Sequence, residues 1–255
     1  MLKTATDFCG QVLHFLLDKH NRELIVIFFT LLLPLGLILF NGAIIMNQDN
    51  PNVDPAIAIT SITVLFMIAF QFFSGQTLVY HIYDDIRGDV HWRLLATPVP
   101  QRTFYVGAFM AAWAFIFTQG LLIIGVTTLI FDMRWGNPLV LIATLFLISL
   151  ISQLLVVTIS QVSKTRQLAN GIVMGLGFMM MLLSNALFVN LGSSAIAVFF
   201  RTYGTPLALG QRAIMFSGVV ETDMSEVMLS MGALAAIVIV LAGLAAVLGR
   251  RRRSV

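Results

Sequence analysis

Three carboxylates (Asp84, Asp85, Asp89), two guanidinium groups (Arg87, Arg93) and an imidazole (His91) fall within ten residues of one another. This is the densest set of functional side chains in a chain that has few. Bond-making chemistry has little support there or elsewhere. His14, His20, His81 and His91 have no metal-ligand spacing with carboxylates or cysteine, and no H-E-x-x-H pair occurs. The only glutamates, Glu23, Glu221 and Glu226, stand at or beyond the ends of the long apolar runs. A phosphate-cradling G-x-x-x-x-G-K-[ST] loop is missing, so the chain does not bind ATP in that way. The chemistry left to Tyr83–Pro98 is docking. Its charges suit a grip on something outside the membrane.

The elements around that cluster follow from composition. The chain is 58% hydrophobic and only 11% charged, against roughly 25% charged in a soluble domain. Charge-free runs cover 24–48, 55–80, 103–131, 135–163, 167–200 and 227–249. Each exceeds the ~20 residues that cross a hydrocarbon core of about 30 Å as a helix. The expected fold is an all-α polytopic membrane protein with six spans, at 24–46, 56–80, 104–131, 139–162, 168–189 and 227–248. With the N-terminus in the cytoplasm, 12 of the 15 basic residues lie inside, and only Arg134, Arg201 and Arg212 lie outside. Both termini are then cytoplasmic, in a multi-pass protein of the cell membrane. Arg250–Arg253 reads as an anchor on an anionic leaflet, not as a nucleic-acid site.

Between the spans, the pattern is informative in three places. In residues 1–22, Leu2, Ala5, Phe8, Val12, Phe15 and Leu16 recur at three- and four-residue steps, which suits an interfacial amphipathic helix. A short solvated helix is the alternative. The lone cysteine, Cys9, falls in this segment and permits no internal disulfide; the N-terminus does not resemble a cleavable signal. In residues 84–96, Ile86, Val90, Leu94 and Leu95 line one face of an amphipathic helix that Thr97-Pro98 ends. In residues 195–217, apolar pieces too short to span flank Arg201, Gly204 and Pro206. These predict one or two short helices dipping into the outer leaflet, with Pro206 opening the second. An ordinary extracellular loop is the alternative. Polar uncharged residues occur on span two (Gln71, Ser74, Gln76), span four (Ser149, Ser152, Gln153) and span five (Asn170, Ser184, Asn185). Interhelical hydrogen bonding is their ordinary use. No ionisable residue falls mid-span, which argues against ion-coupled transport.

The insert resembles the coupling helix of type-2 ATP-binding-cassette exporter permeases, in which an acidic-basic-glycine stretch precedes Arg-Leu-Leu-x-Thr-Pro. Asp84-Asp85-Ile86-Arg87-Gly88 and Arg93-Leu94-Leu95-Ala96-Thr97-Pro98 match that pattern. Asp84 and Asp85 stand where the family often has glutamate. Residues 1–22 resemble the family's connecting helix, and Phe199–Gly218 its re-entrant outer segment. The resemblance implies that Asp84, Asp85, Arg87, Gly88, Arg93, Leu94, Thr97 and Pro98 couple to an ATPase. It also implies a second permease, identical or homologous, and a cytoplasmic ATPase dimer that holds ATP and Mg. No cofactor would be bound by this chain. Transport would be outward, of an amphipathic compound such as an antibiotic, drug or lipid. The implied path lies between permeases, with Phe66, Phe70, Gln71, Phe73 and Ser74 on span two and Asn170, Met174, Phe178 and Met181 on span five as candidates. Gly171-x-x-x-Gly175 would allow the close helix approach that such a pair needs. A self-contained transporter or channel, or a membrane-embedded lipid-modifying enzyme, is the competing reading.

Overall fold

The computed structural model describes residues 28–47, 54–86, 88, 96, 101–133, 135–184 and 194–251. The expected interfacial helix 1–22, Cys9, most of the insert 84–96 and the end of the fifth span, 185–189, lie outside the described residues, as do Arg134, Arg252 and Arg253. What is described is helical, apart from turns and one isolated bridge between Ser217 and Thr222.

A π-helical turn, Phe28–Leu32, leads into α1 (Leu33–Met46); α2 is Pro55–Ser74 and α3 Gln76–Tyr80, followed by a second π-helical turn, His81–Ile86. Then come α4 (Gln101–Phe131), α5 (Pro138–Val162), α6 (Arg166–Leu183), α7 (Ala195–Thr202), α8 (Pro206–Met215) and α9 (Met224–Arg251). Five described helical stretches are long and apolar enough to cross a membrane: Pro55–Asp84, Thr103–Phe131, Pro138–Val162, Arg166–Leu183 and Met224–Gly249. Thr30–Met46 is apolar but shorter.

The helix starts have local causes. Asp54 accepts a hydrogen bond from the Ala56 amide (2.9 Å) and Asn137 from the Leu139 amide (2.9 Å), each with proline as the next residue. Thr205 does the same for Ala208 (3.1 Å) ahead of Pro206. The side-chain oxygen satisfies an orphan amide, and proline costs nothing where its missing N–H has no partner.

Packing is organised around α2, the most buried of the long helices; α9 is the least. Met67, Ile68 and Val64 on α2 meet Leu145 and Ile148 of α5, Leu207 and Ile214 of α8, and Leu234 of α9 in one core. Short α8 therefore fills the bundle and does not lie across it. Gly210 makes this possible, since a Cβ there would come within 2.8 Å of Ile68 Cδ1. No residue of α7 is buried. A second core, nearer the insert, joins Leu78, Val79 and Ile82 to Ala108, Ala112, Val156, Ala169 and Val173.

The helix Pro55–Asp84 is interrupted at Gly75. The Gly75 amide donates to the Phe72 carbonyl (3.2 Å), which releases the Gln71 carbonyl from its usual i+4 partner. Ser152 of α5 donates its hydroxyl to that carbonyl at 2.8 Å. A polar side chain from a neighbouring span thus satisfies the broken turn, as membrane helices require.

Candidate functional site: the insert end and the polar midsection

Where the insert leaves the bundle, three side chains from one turn and a half hold the α5–α6 junction. The Tyr83 hydroxyl, donating to the carbonyls of Ser163 (2.9 Å) and Ser160 (3.2 Å), grips the last turn of α5. Arg166, the first residue of α6, places Nη1 2.8 and 2.7 Å from the two carboxylate oxygens of Asp84. Its guanidinium also lies 5.3 Å from the centre of the Tyr80 ring. Thr165 caps α6 by accepting from the Leu168 amide (3.3 Å).

The π-helical turn His81–Ile86 adds a residue to the ordinary turn, a distortion that is common at functional positions. Gly88 follows so closely that a Cβ there would collide with the Asp84 carbonyl oxygen. Of the expected coupling residues, then, Asp84 and Gly88 sit together at the bundle's end. Asp85 belongs to the same turn. Arg87, Arg93, Leu94, Thr97 and Pro98 lie outside the described residues.

Halfway along the bundle, the polar residues form a buried layer. Ser74 donates to Gln119 Oε1 of α4 at 3.0 Å and to the Phe70 carbonyl at 2.7 Å. Gln119 Nε2 in turn donates to the carbonyl of Thr30. Gln71 is fully buried, and among the described residues neither its amide nitrogen nor its oxygen has a hydrogen-bond partner; the same holds for Gln153. Leaving such a group unpaired costs about 1–3 kcal/mol. Gln119 was not singled out from the sequence. A lone amide in the apolar run 103–131 was its only signal, and its partners lie 45 and 89 residues away.

The expected path residues divide by position. On α2, Phe66, Phe70 and Phe73 form a ladder of tilted rings with centroids 6.5 and 5.6 Å apart. Phe66 and Phe70 are buried in the core with Met181 of α6. Phe73 packs against α6, where a Cβ on Gly177 would stand 3.3 Å from its ring. Met174 and Phe178 face outward, 42% and 51% exposed, and Asn170 Nδ2 is 4.0 Å from Met174 Sδ. Gly171 and Gly175 border open space on the same helix. The candidates therefore make two groups: one inside the helical bundle, one on the outer face of α6.

At the far end, Arg212 of α8 pairs with Glu226 of α9 at 2.8 Å, both side chains about a quarter exposed. The Arg212 guanidinium lies 4.7 Å from the centre of the Tyr203 ring and 4.8 Å from that of Phe216. The Tyr203 hydroxyl hydrogen-bonds the Glu226 carboxylate at 3.1 and 3.2 Å. At the start of α9, the Ser225 hydroxyl (2.6 Å) holds the Asp223 carboxyl below the usual carboxylate range, with the Glu226 and Ser225 amides and Arg212 adding to it. This knot also escaped sequence reasoning, because its members are spread over Tyr203–Glu226 without a motif. Among the described residues no three His, Cys, Asp or Glu side chains converge to hold a metal ion.

A scan against protein-family models matches residues 50–247 to the ABC-2 family transporter protein model. The matched stretch takes in the insert, α2 through α8 and most of α9. A search of curated proteins gave no match.

Proposed function

Because this chain belongs to the ABC-2 family of transporter proteins, a family of ABC-transporter membrane components, we propose that it is the permease subunit of an exporter that moves an amphipathic compound outward. In this reading two permeases pair, identical or homologous, and a separate cytoplasmic ATPase dimer holds ATP and Mg. The bundle crosses the cell membrane six times with both termini inside. Residues 84–96 form a coupling helix, residues 195–217 an outer re-entrant segment, and 1–22 an interfacial helix. The family match carries the proposal, because residues 50–247 take in the charged insert and the helices on either side of it.

The chain's own residues support a mechanical role. In sequence, Asp84, Asp85, Arg87 and Arg93 come at or just after the end of the helical stretch Pro55–Asp84, which runs back into the buried midsection. ATP-driven closure of the ATPase dimer would displace that insert and rock the bundle between inward- and outward-facing states. Phe66, Phe70, Phe73, Met174, Phe178 and Met181 supply rings and flexible thioethers, which suit apolar compounds of varied shape. Gln71, Ser74 and Asn170 supply the polar contacts.

Two measurements test this. Affinity-tagged chain solubilised from native membranes should carry an ATP-binding-cassette ATPase with it. Inside-out vesicles containing the complex should accumulate an amphipathic dye only with MgATP. Accumulation without ATP, or purification free of any ATPase, would sink the exporter reading. Arg87→Glu and Arg93→Glu should insert normally and leave ATP hydrolysis running while dye uptake falls.

A further inference from the structure

The insert end poses a question of energetics. Asp84 and Arg166 are 48% and 47% exposed, and an ion pair that open to solvent adds little to stability. Stability does not account for it. Arg166 is moreover the first residue of α6, where the partial positive charge of the helix end disfavours a cation. A carboxylate beside that helix end offsets the misplacement, and Asp84 supplies it through both oxygens.

The three contacts also have unequal targets. Tyr83 reaches two backbone carbonyls at the end of α5, acceptors that the helix itself leaves without partners and whose positions the backbone fixes. Asp84 grips a side chain of α6. Between the two helices lie only Ser163, Lys164 and Thr165. A displacement entering at Asp84 therefore acts on α6 through a pair that is cheap to break and remake, while the α5 end stays held. The Tyr80 ring, on the same helical stretch as Asp84, gives that side a second hold on the guanidinium.

We propose that the Asp84–Arg166 pair is the tie through which movement of the insert reaches α6, making Arg166 a positioning residue of the transport cycle. This rests on the permease reading above and changes one part of it: Asp84 faces inward to α6 and leaves ATPase docking to other residues of the insert. The output is local. The outward face of α6 bears Gly171, Met174, Gly175 and Phe178, so a shift of its first turn alters the surface implied for the substrate path.

The test uses the full permease with the ATPase that co-purifies with it, in a Cys9→Ser background. Met179→Cys on the exposed face of α6 serves as reporter, and its maleimide labelling rate is measured before and after trapping with MgATP and vanadate. In the parent complex the rate should change on trapping. Arg166→Gln should abolish that change while the ATPase still co-purifies and still hydrolyses ATP. Arg166→Lys should recover part of it, and Asp84→Arg combined with Arg166→Asp should recover most. A trapping response that persists undiminished in Arg166→Gln overturns the proposal. So does loss of the ATPase from Arg166→Gln, which would mark the pair as part of the docking surface. A parent complex with no ATPase attached fails earlier, and refutes the permease reading itself.

Discussion

Gln71 is the residue at which stability and function separate most clearly. Its amide is fully buried without a hydrogen-bond partner among the described residues, while its backbone carbonyl is satisfied by Ser152. Replacement by leucine removes the unpaired polar atoms and leaves the kink's hydrogen bond in place. Gln71→Leu should therefore raise the unfolding free energy by about 1–2 kcal/mol, read as a higher melting temperature in detergent. The same variant should lower ATP-driven dye uptake, since the proposed path loses a polar group. A lower melting temperature would show that the amide has a partner essential to the fold. Asp223 gives a second residue-scale expectation, from pH. Its carboxyl is held down in the folded state, chiefly by the Ser225 hydroxyl. A depressed carboxylate contributes stability that is fully present above the unfolded value of about 3.9 and is lost as pH falls through the lower folded value. Asp223→Ala should thus melt earlier than the parent at neutral pH, with the gap closing only in strong acid. A gap that closes between pH 5 and pH 7 would point to a different group.

The helix Pro55–Asp84 combines the features of the element scale: a capped start, a break at Gly75 and a π-helical exit. A Cβ on Gly75 would lie 2.7 Å from Val156 Cγ2. Gly75→Ala should therefore destabilise by about 1–3 kcal/mol through overpacking, despite alanine's better helix propensity. Val156→Ala, which removes the opposing methyl groups, should return much of that loss when combined with it. Additive effects of the two substitutions on the melting temperature would place the clash elsewhere. The capped starts were legible in the sequence, because Asn137-Pro138 and Thr205-Pro206 each carry cap and turn chemistry in two adjacent residues. The helical, largely apolar architecture was legible too, from composition and run length. The break was not. A glycine in an apolar run signals nothing until Val156 and Ser152, both more than 75 residues away in sequence, are brought against it. The same limit hid Arg166 as the partner of Asp84, since a basic residue at the turn 163–166 reads first as a topology signal.

Taken whole, the molecule is asymmetric in how it uses its surface. α9 and α4 expose large aliphatic side chains such as Leu129, Met228 and Ile239, as helices in contact with lipid do. α6 exposes Leu168, Ile172, Met174, Phe178 and Met179 as well, but it also sets two exposed glycines, Gly171 and Gly175, one turn apart, whereas Gly125 of α4 and Gly232 and Gly243 of α9 are exposed without a glycine one turn away. Lipid contact gives no reason for that choice, since glycine removes apolar area and weakens the helix by about 1 kcal/mol per position. Close approach of another helix does give one, because small residues let backbones pack and gain van der Waals contact. On the proposed pairing of two permeases, α6 is then the face that meets the second copy. Gly171→Leu combined with Gly175→Leu should keep the protomer folded, as a Cβ at either position meets no atom beyond its own helix within 4 Å among the described residues. Melting temperature should hold or rise through better helix propensity, while cross-linking between protomers through Met179→Cys falls and ATP-driven dye uptake is lost. Loss of uptake with cross-linking unchanged would assign the glycines to the substrate path, and unchanged uptake would remove α6 from the interface.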